Sequence, residues 1–451
     1  MKNIIKKGLF AVAIMIMTGI VNVNAESLPV IVNGTQLTDE VNKITLGDGT
    51  LTYNKDSKEL ILENITLTTN DNYGINLIST TDEVKVVLKG NNKIIVTGNN
   101  FGIRSSNNLI ITGNGNLTIT SEFPSIQGKN ITIDGANLNL TATKENLTTI
   151  ENDNTLIIKN GSKIKAKGHG SAISSFGKLE IVDSELDLEA VRDSSNAIYV
   201  YVEPTNTNND GSLTITNSKV KAKSGYASIY SSGKMKLIKS NFELESNAGG
   251  IWSDASVEIK DSKVNVYRGD YGIGAGENSI DIDNSTFEIS VNNVAFRSEP
   301  TISGLSNKAV YVGDETDGSD KTLLDISNDF ELAQYKYLKI VPKYTIKIIA
   351  DDNVVLNTEK EISVIEKENK ELIIKAKDGY KIKTVLLNNE KVSLTDNKLA
   401  LTNIEEDIII NITSAKIENP ETSDNIGLFI TLGISSVIGL AVISYKRKQF
   451  N

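Results

Sequence analysis

The stretch VEIKDSKVNV, residues 257–266, alternates apolar and polar residues, breaks at Asp261-Ser262, and alternates again. Alternation at period two marks a strand with one buried face. Ten residues in two half-strands cannot cover that face alone. The chain supplies similar stretches on either side: LEIVDSELDL (179–188), LTITNSKVKA (213–222) and IDIDNSTFEI (280–289). With looser copies such as LILENITL and MKLIKSNFEL, the last apolar residue of each first half-strand falls at Leu62, Leu88, Ile111, Ile133, Ile158, Ile181, Ile215, Leu237, Ile259 and Ile282. Neighbouring markers lie 22 to 26 residues apart, except for one gap of 34 that holds the insertion YVEPTNTNND. A period in the low twenties predicts a solenoid.

A leucine-rich repeat would need helix formers. β-Branched residues, Asn and Ser predominate instead, so a parallel β-helix is predicted. Two residues after each marker stand Asn64, Gly90, Gly113, Gly135, Asn160, Asp183, Asn217, Lys239, Asp261 and Asn284. Nine of these ten are Asn, Asp or Gly, residues that accept left-handed backbone, so a ladder of like bends is expected. A third segment recurs around Ile75, Ile103, Ile126, Ile150, Ile173, Ile198, Ile229, Ile251, Ile273 and Phe296, with these side chains turned inward. Ten rungs at about 4.8 Å make a rod about 48 Å long.

The expected fold is all-β: a right-handed parallel β-helix of about ten rungs, then a small β-sandwich-like module and a C-terminal transmembrane helix. Residues 1–25 combine Lys2, Lys6 and Lys7 with an apolar run and small residues before the position after Ala25, the pattern of a secretory signal. Residues 26–58 are expected to form an N-terminal cap, 59–342 the β-helix and 343–416 the small module. Residues 417–425 would be a tether, 426–444 a membrane span and 445–451 a basic tail on the cytoplasmic side.

Cys is absent from all 451 residues, so packing rather than disulfides must hold an exported chain. Loss of both ends takes the net charge from −10 to −10 − 6 + 1 = −15, through six basic residues and Asp424. That excludes nucleic acid as a partner bound through its phosphates. No cofactor is expected. The Asp-bearing bends leave room for single Ca²⁺ ions, but Asp183 and Asp261 lie three rungs apart, about 14 Å, and cannot share one.

The motif Asn419-Pro420-Glu421-Thr422-Ser423, followed by an apolar span and Lys446, Arg447 and Lys448, resembles the sorting signal of Gram-positive wall-anchored proteins. The resemblance implies a sortase that cuts after Thr422 and joins it to peptidoglycan. Asn419 stands where Leu is usual and Ser423 where Gly is usual. The entry segment, with Gly47-Asp48-Gly49-Thr50, Tyr53 and LILENITL, together with the repeats, resembles secreted β-helix proteins of Gram-positive anaerobes. That group includes carbohydrate-binding modules.

Enzymes also use this fold. Gly168-His169-Gly170 matches a polygalacturonase tripeptide, but it aligns with the turns of neighbouring rungs and lacks partner Asp motifs. Arg268-Gly269-Asp270 likewise falls in a rung turn. A different set of residues points to ligand binding. One residue after each inward Ile the side chain should face out: Asn76, Arg104, Gln127, Glu151, Ser174, Tyr199, Tyr230, Trp252, Gly274 and Arg297. Tyr199, Tyr230 and Trp252 are consecutive and predict an aromatic stripe suited to sugar rings, bordered by Arg104 and Arg297. Cross-rung packing for stability alone would select the same residue types. The expected function is a non-enzymatic surface adhesin for a polysaccharide or a host or biofilm glycan. A wall-tethered polysaccharide lyase or glycoside hydrolase and a plain structural spacer are the alternatives.

Overall fold

A computed structural model describes residues 26–418, apart from 71–72, 79–82, 203–209, 278 and 328. The expected signal (1–25), the motif Asn419 to Ser423, the span 426–444 and the tail 445–451 lie outside the described residues. Among those described there is no helix, and so none long and apolar enough to cross a membrane. The chain divides into two units. One holds the residues up to Ile346 with Ile362–Lys370 and Thr402–Asp407; the other holds Lys347–Glu361, Glu371–Leu401 and the residues from Ile408.

The first unit is a β-solenoid of about ten turns. Each coil carries three strands, and every strand pairs in parallel with its counterpart one coil on. The first-strand ladder aligns Ile111 with Ile133, Ile158, Ile181, Ile215, Leu237, Ile259 and Ile282 in one unbroken file. Ile215, Leu237 and Ile259 are wholly buried. The second ladder runs from Thr66–Thr69 to Thr286–Ser290, and the third from Ile75–Leu77 to Val294–Phe296. Alternation turns every second side chain into a common aliphatic interior. Each fully buried Ile or Leu there contributes about 1.5–3 kcal/mol.

The marker file departs from expectation at one place. Ile111 aligns with Val86, not Leu88, a shift of two residues. Parity survives, because a shift of two keeps the same side chains inward. Gly113 makes the shift feasible: its φ is +109°, and a Cβ there would lie 2.4 Å from the Leu88 carbonyl oxygen.

All ten bend residues have positive φ, from 45° at Asn284 to 109° at Gly113, and even Lys239 adopts 50°. Beside this ladder runs a second, of buried serines. The backbone N–H of Ser184 donates to Ser218 Oγ (3.1 Å), Ser218 to Ser240 (3.0 Å), Ser240 to Ser262 (3.1 Å) and Ser262 to Ser285 (3.1 Å). Each of these hydroxyls from Ser218 to Ser285 donates in turn to the carbonyl two residues before it, at 2.7–2.8 Å. Donors that a bend would strand out of water are thereby satisfied.

Antiparallel strands close both ends of the solenoid. Ser27–Val32 pairs with Thr35–Thr38 and with Ile75–Leu77. At the far end, Tyr337–Ala350 runs antiparallel to Thr286–Ser290 and Lys308–Gly313. Antiparallel closure interrupts the parallel edge that would otherwise invite another chain.

The second unit contains a sheet of Val354–Leu356, Lys370–Ala376 and Lys398–Leu401, and a ladder in which Tyr380–Leu387 pairs with Glu390–Val392 and Ile408–Lys416. Leu372, Ile374 and Ile410 are fully buried in it. The Asp351 carboxylate accepts the backbone N–H and hydroxyl of Ser414, bonds that hold its own pKa below the usual range.

Candidate functional site

The third-strand ladder builds the outward column in the order expected. Asn76 aligns with Arg104, Arg104 with Gln127, Gln127 with Glu151, Glu151 with Ser174, and Ser174 with Tyr199. Tyr199 then aligns with Tyr230, Tyr230 with Trp252, and Trp252 with Gly274. Parallel pairing places these positions about 4.8 Å apart.

The three aromatics are not one uniform stack. Tyr199 and Tyr230 stack at 5.1 Å with 18° between planes, and Tyr201 also stacks on Tyr199, at 5.9 Å. Trp252 is joined to them by a carboxylate instead. Asp254 accepts the Trp252 Nε1–H at 2.8 Å and the Tyr230 hydroxyl on its other oxygen. One side chain thus fixes the rings of two adjacent coils. Burial and this bond to Asp254 push the Tyr230 phenol well above its ordinary pKa, so it remains a donor at neutral pH.

Two glycines make room for the rings. Trp252 lies over Gly274, where a Cβ would come within 2.5 Å of the indole, and Tyr271 lies over Gly249, where a Cβ would meet the ring at 2.1 Å. Tyr271 packs edge-on to Trp252 at 5.7 Å, and burial raises its pKa to about 12. The Arg297 guanidinium sits 4.3 Å from the Tyr271 centroid and 5.7 Å from that of Trp252. Arg297 therefore borders the aromatic group, two coils from Trp252, as a cation laid over rings.

Arg104 is placed elsewhere. Four coil steps, about 19 Å, separate it from Tyr199. It covers a second aromatic group, with its guanidinium 5.4 Å from Phe101 and 5.6 Å from Tyr73, and it donates to the Tyr73 hydroxyl at 3.0 Å. Between the groups, Gln127 donates to Glu151 at 2.8 Å.

Asp254, Tyr201 and Tyr271 escaped the sequence reading. Asp254 and Tyr201 lie three residues beyond an inward Ile and share the outward parity of the column, so the signal was present. Tyr271 lies two residues before Ile273, at a position whose parity marks it as interior. Only the space above Gly249 reveals its role. His169 sits half-buried in the turn after Lys163–Gly168, and Arg268 pairs with Glu245 at 2.7 Å. Neither belongs to the aromatic face. No group of three or more His, Asp or Glu among the described residues could hold a metal ion.

A family model described as carbohydrate-binding domain-containing protein matches residues 3–295. The chain belongs to this carbohydrate-binding domain family. The matched span takes in Tyr199, Tyr230, Trp252, Asp254, Tyr271 and the Arg104 group, and ends just before Arg297. No curated protein and no solved structure was found to match. Membership in this family, together with the β-solenoid fold, supports a carbohydrate-binding role.

Proposed function

We propose that the protein is a non-catalytic polysaccharide-binding protein, displayed outside the cell, whose ligand lies along the third-strand face. The observation that carries this is the Tyr199–Tyr230 stack, to which Asp254 ties Trp252 of the next coil. Half-buried rings at one-coil spacing present apolar faces to the C–H-rich sides of successive sugars. Ordered rings lose little entropy when a ligand arrives. Asp254 and Glu151 supply acceptors for sugar hydroxyls, and Arg297 supplies donors. Attachment is proposed through Thr422, joined to peptidoglycan by a sortase after cleavage of the Asn419–Ser423 motif.

A glycan array probed with the full-length chain tests the binding role. Trp252→Ala combined with Tyr230→Ala should abolish the signal while the thermal transition stays cooperative. Loss of each ring should remove about 1–2 kcal/mol of binding, the scale of the apolar surface it would cover on a sugar. A chelator should leave binding unchanged. Release of unsaturated or reducing ends from acidic polymers would replace the proposal with an enzymatic one, and silence in both assays would leave a spacer. Mass spectrometry of peptidoglycan digests reads the Thr422 linkage directly.

A further inference from the structure

The second-strand face carries its own order, which sugar binding does not use. Its outward residues form rows of like charge that change sign from coil to coil. Lys163, Lys165 and Lys167 make one row, and Glu185, Asp187 and Glu189 the next. Lys219, Lys221 and Lys223 follow, then Asn241, Glu243 and Glu245. Pairing registers place these in three straight columns, with Lys165, Asp187, Lys221 and Glu243 down the middle. Ion pairs within the chain are uneven. Lys167–Glu189 is 2.9 Å and Lys223–Glu245 3.2 Å, whereas Lys165–Asp187 and Lys219–Glu185 are 3.9 Å. Lys163, Lys221 and Glu243 make no ion pair among the described residues.

We propose that this face joins two copies of the chain in an antiparallel dimer. The twofold axis lies in the interface, parallel to the strands and midway between the Glu185–Ala190 and Lys219–Ser224 rows. Such an axis preserves position along a strand and reverses coil order. It sets Asp187 against Lys221 of the second copy, and Lys165 against Glu243. In the outer columns Glu185 meets Lys219, Glu189 meets Lys223 and Lys167 meets Glu245, while Lys163 meets the neutral Asn241. An axis passing through a row, or one along the solenoid, would place like charge on like. The midway axis also sets the neutral Asn137–Ala142 row opposite Lys263–Tyr267, and Asn116–Ser121 opposite Thr286–Ser290, with no like charges meeting. Eight rows, six of six residues and two of five, span about 38 Å by at most about 20 Å, at most roughly 760 Å² per copy. That approaches the roughly 800 Å² per partner of standard stable interfaces. A twofold of this kind is closed, so association stops at two.

Sedimentation of the full-length chain tests the dimer. The wild-type chain should be dimeric at low salt and dissociate as salt rises, because exposed charges are screened within about 10 Å at 0.1 M. Asp187→Lys and Lys221→Glu each create two like-charge contacts per dimer and should weaken self-association by about a hundredfold. Mixed together, the two variants restore both contacts and should form a 1:1 heterodimer. Circular dichroism melts of each variant separate misfolding from lost association. A wild-type chain that is monomeric at low salt, or variants that fold but fail to recombine, would overturn the proposal. Glycan binding is read on the other face and is independent of either result.

Discussion

The aromatic face and the charged face share one interior but use opposite logics outside it. On the third-strand face like sits on like: Tyr199 on Tyr230, then Trp252 tied in by Asp254. On the second-strand face like never sits on like from Lys163 to Glu245. Both follow from one fact. Parallel register brings identical positions of successive coils about 4.8 Å apart. At that distance flat apolar rings gain by repetition, whereas charges gain only by alternation. The inner halves of the same strands cannot diverge, because both faces stand on the same aliphatic files.

The sharpest way to test that common footing is Leu237→Ala. It opens the central file and should cost about 2–5 kcal/mol of stability in urea titration. Glycan binding and self-association should then fail together at the same denaturant concentration; loss of one alone would mean that the faces fold independently. Ser240→Ala should cost about 1–3 kcal/mol, since the buried Ser218 N–H loses its acceptor. Its effect should again be shared by both faces.

Asp254→Ala should separate them. It removes the carboxylate shared by Trp252 and Tyr230, and glycan affinity should fall about tenfold, in keeping with about 1.5 kcal/mol for a bond to a charged group. The dimer should be untouched. Alkaline titration probes the same face. The Tyr271 phenol has its folded pKa raised to about 12 against an ordinary value of 10. Above pH 10 the unfolded chain loses this proton and the folded chain keeps it, so stability should be complete below pH 10 and fall as pH rises toward 12. A phenolate absorbance titration that finds all tyrosines ionising near 10 would contradict the buried placement. The smallest effect belongs to the charged face: Lys223→Ala should change monomer stability by at most about 1 kcal/mol, because its pair with Glu245 is exposed.

Parity made the solenoid legible. A strand with one buried face repeats its alternation in every coil, so the markers from Ile111 onward and all ten left-handed bends could be read from the chain. The step between Leu88 and Ile111 could not. Val86 and Leu88 have the same parity and the same chemistry, and only the glycines at 113 and 115 hinted at the slip. The column of ten outward residues was likewise legible, but contacts between side chains were not. Whether Tyr230 meets Trp252 through its ring or through Asp254 depends on rotamers, and the placement of Tyr271 depends on space above Gly249. Arg104 shows the same limit: its column was correct, yet its distance from Tyr199 along the axis groups it with Tyr73 and Phe101 instead.

The spine of serine hydroxyls from Ser184 to Ser285 has a consequence for how such a molecule can change length. Each link joins a serine N–H of one coil to the serine hydroxyl of the next, whose own donor goes to a carbonyl two residues before it. Inserting or deleting a complete turn with its serine therefore replaces each such bond by an equivalent one. The aromatic surface would simply grow or shrink by one unit. The charged surface would not, because an odd number of added turns at its centre moves the twofold axis onto a row and sets equal charges face to face. Reach toward a ligand and choice of partner could therefore evolve under different arithmetic on the two sides of one rod.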